Sequence, residues 1–230
     1  MTSEQRLQEL PKAVIKWYEI GKESKTACIV SNYGNSRLIA EALEEKELCV
    51  RRIPLEQLES LQINHAEDNE KTAASICENE HYDIIIAVDM IEYASDAAGV
   101  LARIRSLLRP DGKLIMAADN RLGIRYFCGD QDMFSGKNYD SIENYRHLFA
   151  WERRAMTGRT YSKAELIRFL EKAGFLTHRF YSVFPRISNP QLLLAEDYVP
   201  NEALDIRVFP EYNNPDTVFL MEEELYPALM

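Results

Sequence analysis

The sequence predicts an α/β fold: a mostly parallel sheet with helices on both faces and an antiparallel strand pair at one edge. Three observations lead there. The runs "TACIVS", "YDIIIAVD" and "KLIMAAD" are short, continuous and apolar, as strands buried on both sides are. The first two are followed by stretches with apolar residues at helical spacing, the alternation that builds parallel sheets. Near the end, "FLTHRFYSVFP" and "DTVFLM" read as strands with no helix between them, so they pair antiparallel.

The elements follow in order. Leu7, Leu10, Val14, Ile15, Trp17 and Tyr18 recur at helical spacing, so residues 3 to 19 form a helix despite Pro11. In "SRLIAEALEEK", behind the first strand, Leu38, Ile39, Ala42 and Leu43 share one face. "ELCVRRI" is the second strand, and residues 55 to 80 mix short helical patterns with one candidate strand at Leu61 to Ile63. After "YDIIIAVD", Ser95 stands as N-cap of a helix whose buried stripe is Val100, Leu101, Ile104, Leu107 and Leu108. "RPDG" stops that helix and turns the chain into "KLIMAAD".

Asn120 to Thr160 is irregular and rich in Asp, Asn, Gly, Tyr and Arg, a length that marks a functional segment or a local insertion. In "YSKAELIRFLEKAGF", Ser162 and Glu165 form a capping box, Tyr161 and Leu166 staple it, and Gly174 takes the left-handed position at the C-terminus. These elements make one domain over residues 1 to 230. Its parts are an N-terminal helix within 1–20, a core over 24–120, a substrate-side insertion over 120–160, and a helix, strand pair and acidic extended segment over 161–230.

With 230 residues, 46% of them hydrophobic, the chain can bury one sizeable core. No run approaches the roughly 20 apolar residues of a bilayer span, and "MTSEQRLQELPK" has neither a basic nor an apolar leader region, so a cytoplasmic protein with no membrane span is expected. The formal charge is -10, and nine acidic residues against Arg207 alone lie in residues 187 to 230. An acidic balance with no basic stripe argues against a nucleic-acid partner. Cys28, Cys49, Cys77 and Cys128 lack paired spacing, and His65, His81, His147 and His178 are scattered. Neither a disulfide framework nor a metal site is expected.

"IVSNYGNSRLIAEAL", Ile29 to Leu43, runs from strand through turn to helix, the arrangement that holds dinucleotide and adenosyl cofactors. Such turns carry two or three glycines; this one has Gly34 alone. In parallel sheets ligands bind outside the carboxyl ends of the strands, here the turns after Ser31, Ile53, Asp89 and Asp119. Arg121, Arg125 and further arginines gather with Tyr126 and other aromatics in the long segment. They read either as a site for a phosphorylated or sugar-bearing acceptor or as a solvated face balanced by Asp130, Asp132, Asp140 and Glu152.

The succession "YDIIIAVDMIEYASD", "IRSLLRPDGKLIMAADNRLGIRYFCGD", "SGKNYDSIENY" and "GRTYSKAELIRFLEKAGF" resembles the class I S-adenosylmethionine-dependent methyltransferases, in particular a bacterial group associated with glycosyltransferases. The likeness is close over residues 82 to 225 and holds in outline over 15 to 60. It implies a Rossmann-like fold with a seven-stranded sheet whose final strand is antiparallel. It also implies S-adenosylmethionine as cofactor, no metal, a hydroxyl on a small molecule or glycan precursor as acceptor, and a glycosyltransferase partner.

Two departures bear on the cofactor. Where the family has a glycine-rich turn, this chain has Ser31, Asn32, Tyr33, Gly34 and Asn35, and a non-glycine residue in the left-handed region costs about 1–2 kcal/mol. Asn32 and Asn35 tolerate that region better than most residues. Where the second strand should end in a carboxylate for the ribose hydroxyls stands Pro54, with Glu56 two residues on as a substitute. Each lost charge-assisted bond costs roughly 1.5–3 kcal/mol. The alternative is thus a non-catalytic methyltransferase-like module that has lost the cofactor and serves as an interaction partner for a glycan-modifying enzyme. A nicotinamide enzyme fits less well, since G-x-G-x-x-G is absent.

By the resemblance, the stretch Asp89, Met90, Ile91, Glu92 and Tyr93 lies beside the methionine part and the adenine of the cofactor, with Asp89, Met90 and Ile91 as the binding candidates and Met90 and Ile91 as apolar walls. Methyl transfer is an in-line displacement in which a hydroxyl acceptor gains from a general base, for which Asp119, His147, Glu143 and Tyr145 are the candidates. Arg121, Arg125 and Tyr126 are the candidates for holding the acceptor.

Overall fold

The structure is a computed structural model that describes residues 18–32, 36–60, 81–146, 156–186 and 189–198. Four strands form a parallel sheet: β1 (Thr26–Ser31), β2 (Cys49–Pro54), β3 (Tyr82–Val88) and β4 (Leu108–Ala117), in the order β2-β1-β3-β4. Its helices are α1 (Ser36–Glu44), α2 (Leu55–Ser60), α3 (Ala97–Leu107), α4 (Ile124–Phe127) and α5 (Lys163–Lys172). Two of the three continuous apolar runs sit on the central strands β1 and β3, where both faces are covered; the third, "KLIMAAD", lies in β4 at the edge of the described sheet and is mostly half-buried, unlike the expectation. Ala27, Ile29, Ile84, Ile86 and Val88 pack with Ile39, Ala40 and Leu43 of α1. The alternate residues Cys28, Val30, Ile85 and Ala87 pack with Leu58 of α2, Val100, Leu101 and Ile104 of α3, and Leu166 and Leu170 of α5. The period of two sends neighbouring side chains to opposite layers, which gives three layers in all.

Three further details differ from expectation. Ser95 does not cap α3; its N–H and hydroxyl both donate to Glu59 Oε1, at 2.7 and 2.8 Å, and Asp96 caps the helix by accepting from the Gly99 N–H at 3.0 Å. "RPDG" ends α3 but is no separate turn: the strand resumes at Leu108, and Arg109 to Gly112 bulge opposite Asp83 alone, between the pairs Tyr82 with Leu108 and Ile84 with Lys113. That bulge is why Pro110 is tolerated inside a strand. A Cβ on Gly112 would stand 2.8 Å from the Tyr82 carbonyl oxygen, so the bulge also needs its glycine.

The third detail is the late strand pair. β5 (Tyr181–Arg186) pairs antiparallel with β6 (Asn189–Ala195), so the partner is the next stretch of chain, inside the segment expected to run extended. "DTVFLM", residues 3–17 of the N-terminal helix expected over 3–19, and the candidate strand at Leu61 to Ile63 lie outside the described residues, while Tyr18 and Glu19, which are described, are not helical. The hairpin is a sheet of its own, four strands and two being described where seven in one sheet were expected. A groove of about 710 Å³ runs between β4 and the hairpin, walled by Leu114, Met116, Leu170, Phe180 and Phe184. No helix among the described residues is long and apolar enough to cross a membrane.

The capping box forms as read: Ser162 Oγ accepts from the Glu165 N–H, and the Ser162 N–H donates to Glu165 Oε2 at 2.8 Å. Gly174 follows α5 with φ of +88°, where a side chain would be strained. Ser162→Ala is therefore expected to lower stability by about 1 kcal/mol, a fall of roughly 2–4 °C in the melting midpoint. A melt indistinguishable from the parent would show that the box does not hold α5.

Candidate functional site

The strand order places a switch point between β1 and β3, because β1 connects to β2 on one side and β3 to β4 on the other. Ser31 pairs with Val88, and Val88 with Ala117, so the turns after the three strands open onto one crevice. On the β1 side, Ser31 is buried and Asn32 half-buried, while Gly34 and Asn35 lie outside the described residues. On the β2 side, Pro54 pairs with Ser31 and α2 begins at once, which puts Glu56 in the exposed first turn of a helix.

The β3 side is acidic. Asp89 takes a φ of +48°, which turns the chain sharply into a short 3-10 helix, Ile91–Tyr93. Asp89 is half-buried and no hydrogen bond or ion pair reaches its carboxylate from the described residues. Met90 and Ile91 have no exposed surface and belong to the core, so as apolar walls they stand behind the crevice. Glu92 is 4% exposed. Its Oε1 accepts from the Asp119 N–H at 2.7 Å, and its Oε2 has no partner among the described residues. Gly158 lies over it: a Cβ there would meet the Glu92 carbonyl oxygen at 2.6 Å and the Phe134 ring, so the close approach requires glycine.

Burial and the neighbouring Asp119 push the Asp89 carboxyl up to about 6. The same two causes, burial first, push Glu92 up to about 8, and Asp89 adds to them. A carboxyl with an unpartnered buried oxygen is better satisfied holding a proton, and Glu92 is neutral at pH 7 on this account.

Asp119, on the β4 side, is half-buried and its Oδ2 accepts from Arg125 at 2.8 Å. Arg125 also donates to the Tyr126 hydroxyl at 2.6 Å and lies over that ring at 4.6 Å. Burial, with Asp119 adding, pushes Tyr126 up to about 12, and its ring has no exposed surface. Tyr126 therefore supports Arg125 from inside the protein, where a contact with the acceptor had been expected.

The long segment is tied by its own buried hydrogen bonds. The Tyr145 hydroxyl donates to Asp132 Oδ2 at 2.8 Å and accepts from the Thr160 N–H at 2.9 Å, with Thr160 Oγ1 at 2.7 Å. Tyr145 has no exposed surface, so this candidate base faces the interior. Arg121 donates to Glu165 Oε2 at 2.8 Å and to the carbonyls of Ser141 and Ile142, and Arg159 reaches the same carboxylate at 3.0 Å. Burial alone would raise Glu165, but bonds from Ser162 and Arg121 outweigh it and hold the group at about 2. Arg121 thus braces α5 against the segment. Glu143 is exposed, and His147 lies outside the described residues.

Of the residues expected at a site, the crevice brings together Ser31, Asn32, Asp89, Asp119 and Arg125. Glu92 lies in the stretch expected beside the cofactor, but that reading gives it no role of its own. Its signal was a lone charge between the apolar residues of "DMIEY", directly after a buried strand.

A family model described as a methyltransferase domain matches residues 20–178. Among solved structures, a SAM-dependent methyltransferase from Thermotoga maritima is 16% identical with a TM-score of 0.45, over 83% of this chain and 84% of that one. The mitomycin 7-O-methyltransferase MmcR is 14% identical with a TM-score of 0.43 over 82% of this chain, which spans 52% of its length. YcgJ from Bacillus subtilis is 12% identical with a TM-score of 0.37, over 76% and 70%. No curated protein matches the sequence.

Proposed function

The chain belongs to the methyltransferase-domain family, and from that premise we propose that it methylates a hydroxyl of a small molecule or glycan precursor with S-adenosylmethionine as donor. The observation that carries the reading is the crevice at the β1/β3 switch point, whose unpartnered Asp89 carboxylate and orphaned Glu92 oxygen suit a cationic, hydroxyl-bearing ligand. When bound, the cofactor supplies a methyl group made electrophilic by its sulfonium. Ser31, Asn32 and Asp89 are the residues that would hold it. Asp119 stands on the acceptor side, fixed by Arg125 at its carboxylate and by Glu92 at its N–H, and takes the proton of the attacking hydroxyl. The likeness to the glycosyltransferase-associated group supports a glycan-precursor acceptor and a glycosyltransferase partner.

A second reading is favoured by Pro54. With proline closing β2 opposite Ser31 and Glu56 out on a helix, the carboxylate expected for the ribose is missing, as in a module that has kept the fold without the cofactor. Calorimetric titration with S-adenosylhomocysteine separates the two. Binding, with a stabilisation of about 2.7 kcal/mol at 100 times the dissociation constant and a midpoint shift of roughly 5–11 °C, is expected of the enzyme. No heat and no shift at millimolar ligand would establish the second reading.

A further inference from the structure

The four-stranded sheet and the late hairpin face each other across the groove. β4 pairs with β3 along one edge, and no described strand lies on its other edge. Leu114 and Met116 are only half-buried there, although "KLIMAAD" has the continuous apolar character of a strand covered on both sides. An apolar strand edge left open is a template for another strand, so such an edge is normally covered. Across the gap, β5 turns Tyr181 to Phe184 toward the groove, to which β6 contributes Leu193 alone, so β6 lies on the far side of β5.

We propose that the occupant of the groove is the chain's own segment "DTVFLM", residues 216–221, set as a strand between β4 and β5 so that the two sheets become one. Its sequence suits the position: Thr217, Phe219 and Met221 alternate with Val218 and Leu220, which makes both faces of the strand largely apolar. A strand of that kind needs cover on both sides, and the groove is walled by Leu170, Phe180 and Phe184. The sequence pairs this segment antiparallel with the stretch that contains β5. Since β6 takes one edge of β5, that pairing falls on the edge facing the groove.

Length, reach and charge agree. The groove follows β4 and its exit from Gly112 to Asp119, about 25 Å, which accommodates the roughly 20 Å of a six-residue strand. The described chain leaves β6 beside the groove, where Glu196 pairs with Lys163 at 3.0 Å and Asp197 with Arg179 at 2.8 Å. Residues 199–215 then span up to about 55 Å, enough to reach either end. Lys113, Arg125, Lys163 and Arg179 line the groove against Asp119 and Glu196, so it is net basic in a chain of net charge -10. The segment is acidic at both ends, with Asp216 before the apolar residues and Glu222 to Glu224 after them.

So filled, the groove is no second chamber for an acceptor, which is left the crevice beside Asp119. That consequence rests on the reading of Asp119 above; the strand itself does not.

The test is hydrogen exchange of the whole chain, followed by mass spectrometry, in the parent and in Phe219→Asp. In the parent, the amides of residues 217–221 are expected to exchange at least about a hundredfold more slowly than in a free peptide of that sequence. Phe219→Asp places a charge on one face of the strand, and should speed exchange about tenfold or more at 217–221 and at 113–118 together, leaving β2 as in the parent. Should the aspartate variant fail to fold, Phe219→Ala is expected to give the same pattern at smaller amplitude. Exchange of 217–221 at the free-peptide rate in the parent overturns the proposal. Faster exchange at 217–221 with 113–118 unchanged also overturns it, since the segment then packs elsewhere. Protection of 113–118 that rises with protein concentration while 217–221 exchanges freely assigns the groove to a second copy of the chain, and overturns it too. Titration with S-adenosylhomocysteine bears on the cofactor reading alone, so either inference can fail without the other.

Discussion

Replacing Glu92 by glutamine is expected to change the pH dependence of stability more than any other single substitution at the crevice. The carboxyl holds its proton more tightly in the folded chain, at about 8, than at its usual 4.5. The folded state therefore binds more protons than the unfolded state between those values, and stability falls as the pH rises from about 4.5 to about 8, then levels off. Glutamine keeps the shape and a carbonyl oxygen for the Asp119 N–H but does not titrate. The difference in stability between Glu92→Gln and parent should thus move in favour of the variant by on the order of 4 kcal/mol between pH 5 and pH 9, about 10 °C in relative midpoint. Parallel midpoint profiles for the two proteins would show that Glu92 is solvated and titrates as an ordinary carboxyl.

The second large effect is expected at Tyr145. Phenylalanine there fits the same space but removes the one hydroxyl that serves Asp132, the Thr160 N–H and the Thr160 hydroxyl together. Each buried group left without its partner costs about 1–3 kcal/mol, and Asp132 is only 1% exposed, so water does not replace the bond. Asn144 and Tyr145 both hold positive φ, at +57° and +58°, so the turn depends on its side-chain bonds. Tyr145→Phe should lower stability by about 3 kcal/mol, with a fall in midpoint of roughly 6–12 °C, and leave the affinity for S-adenosylhomocysteine at low temperature unchanged. A normal melt with lost binding would return Tyr145 to the candidates for catalysis.

What could be read from the sequence divides along contact distance. The buried strands β1 and β3, the capping box of Ser162 and Glu165, and Gly174 rest on residues within one element, and all stand in the structure, whereas "KLIMAAD" of β4 is a strand but not one buried on both sides. Ser95 and Asp96 are adjacent and both good caps; the choice between them falls to Glu59, 36 positions away from Ser95, which takes Ser95 for itself. Glu92 is the stronger case. Gly158 packs against its backbone carbonyl and its side-chain hydrogen bond comes from the backbone of Asp119, and neither is visible from the neighbours of Glu92 in the chain. The crevice was legible as a place, the ends of β1 and β3, while its chemistry was not, because the carboxylates come from three turns brought together by the sheet.

The left-handed backbone at Asp89 has a consequence for how its role can be measured. Alanine, the usual replacement for asking what a side chain does, is disfavoured at a φ of +48° by about 1–2 kcal/mol, quite apart from any charge it removes. A truncation scan would record that conformational strain as lost ligand recognition and overstate the carboxylate. Asparagine and glycine are the informative pair: both accept the turn, the first keeping size without charge and the second keeping neither. Their comparison separates what the backbone contributes at this corner from what the side chain does.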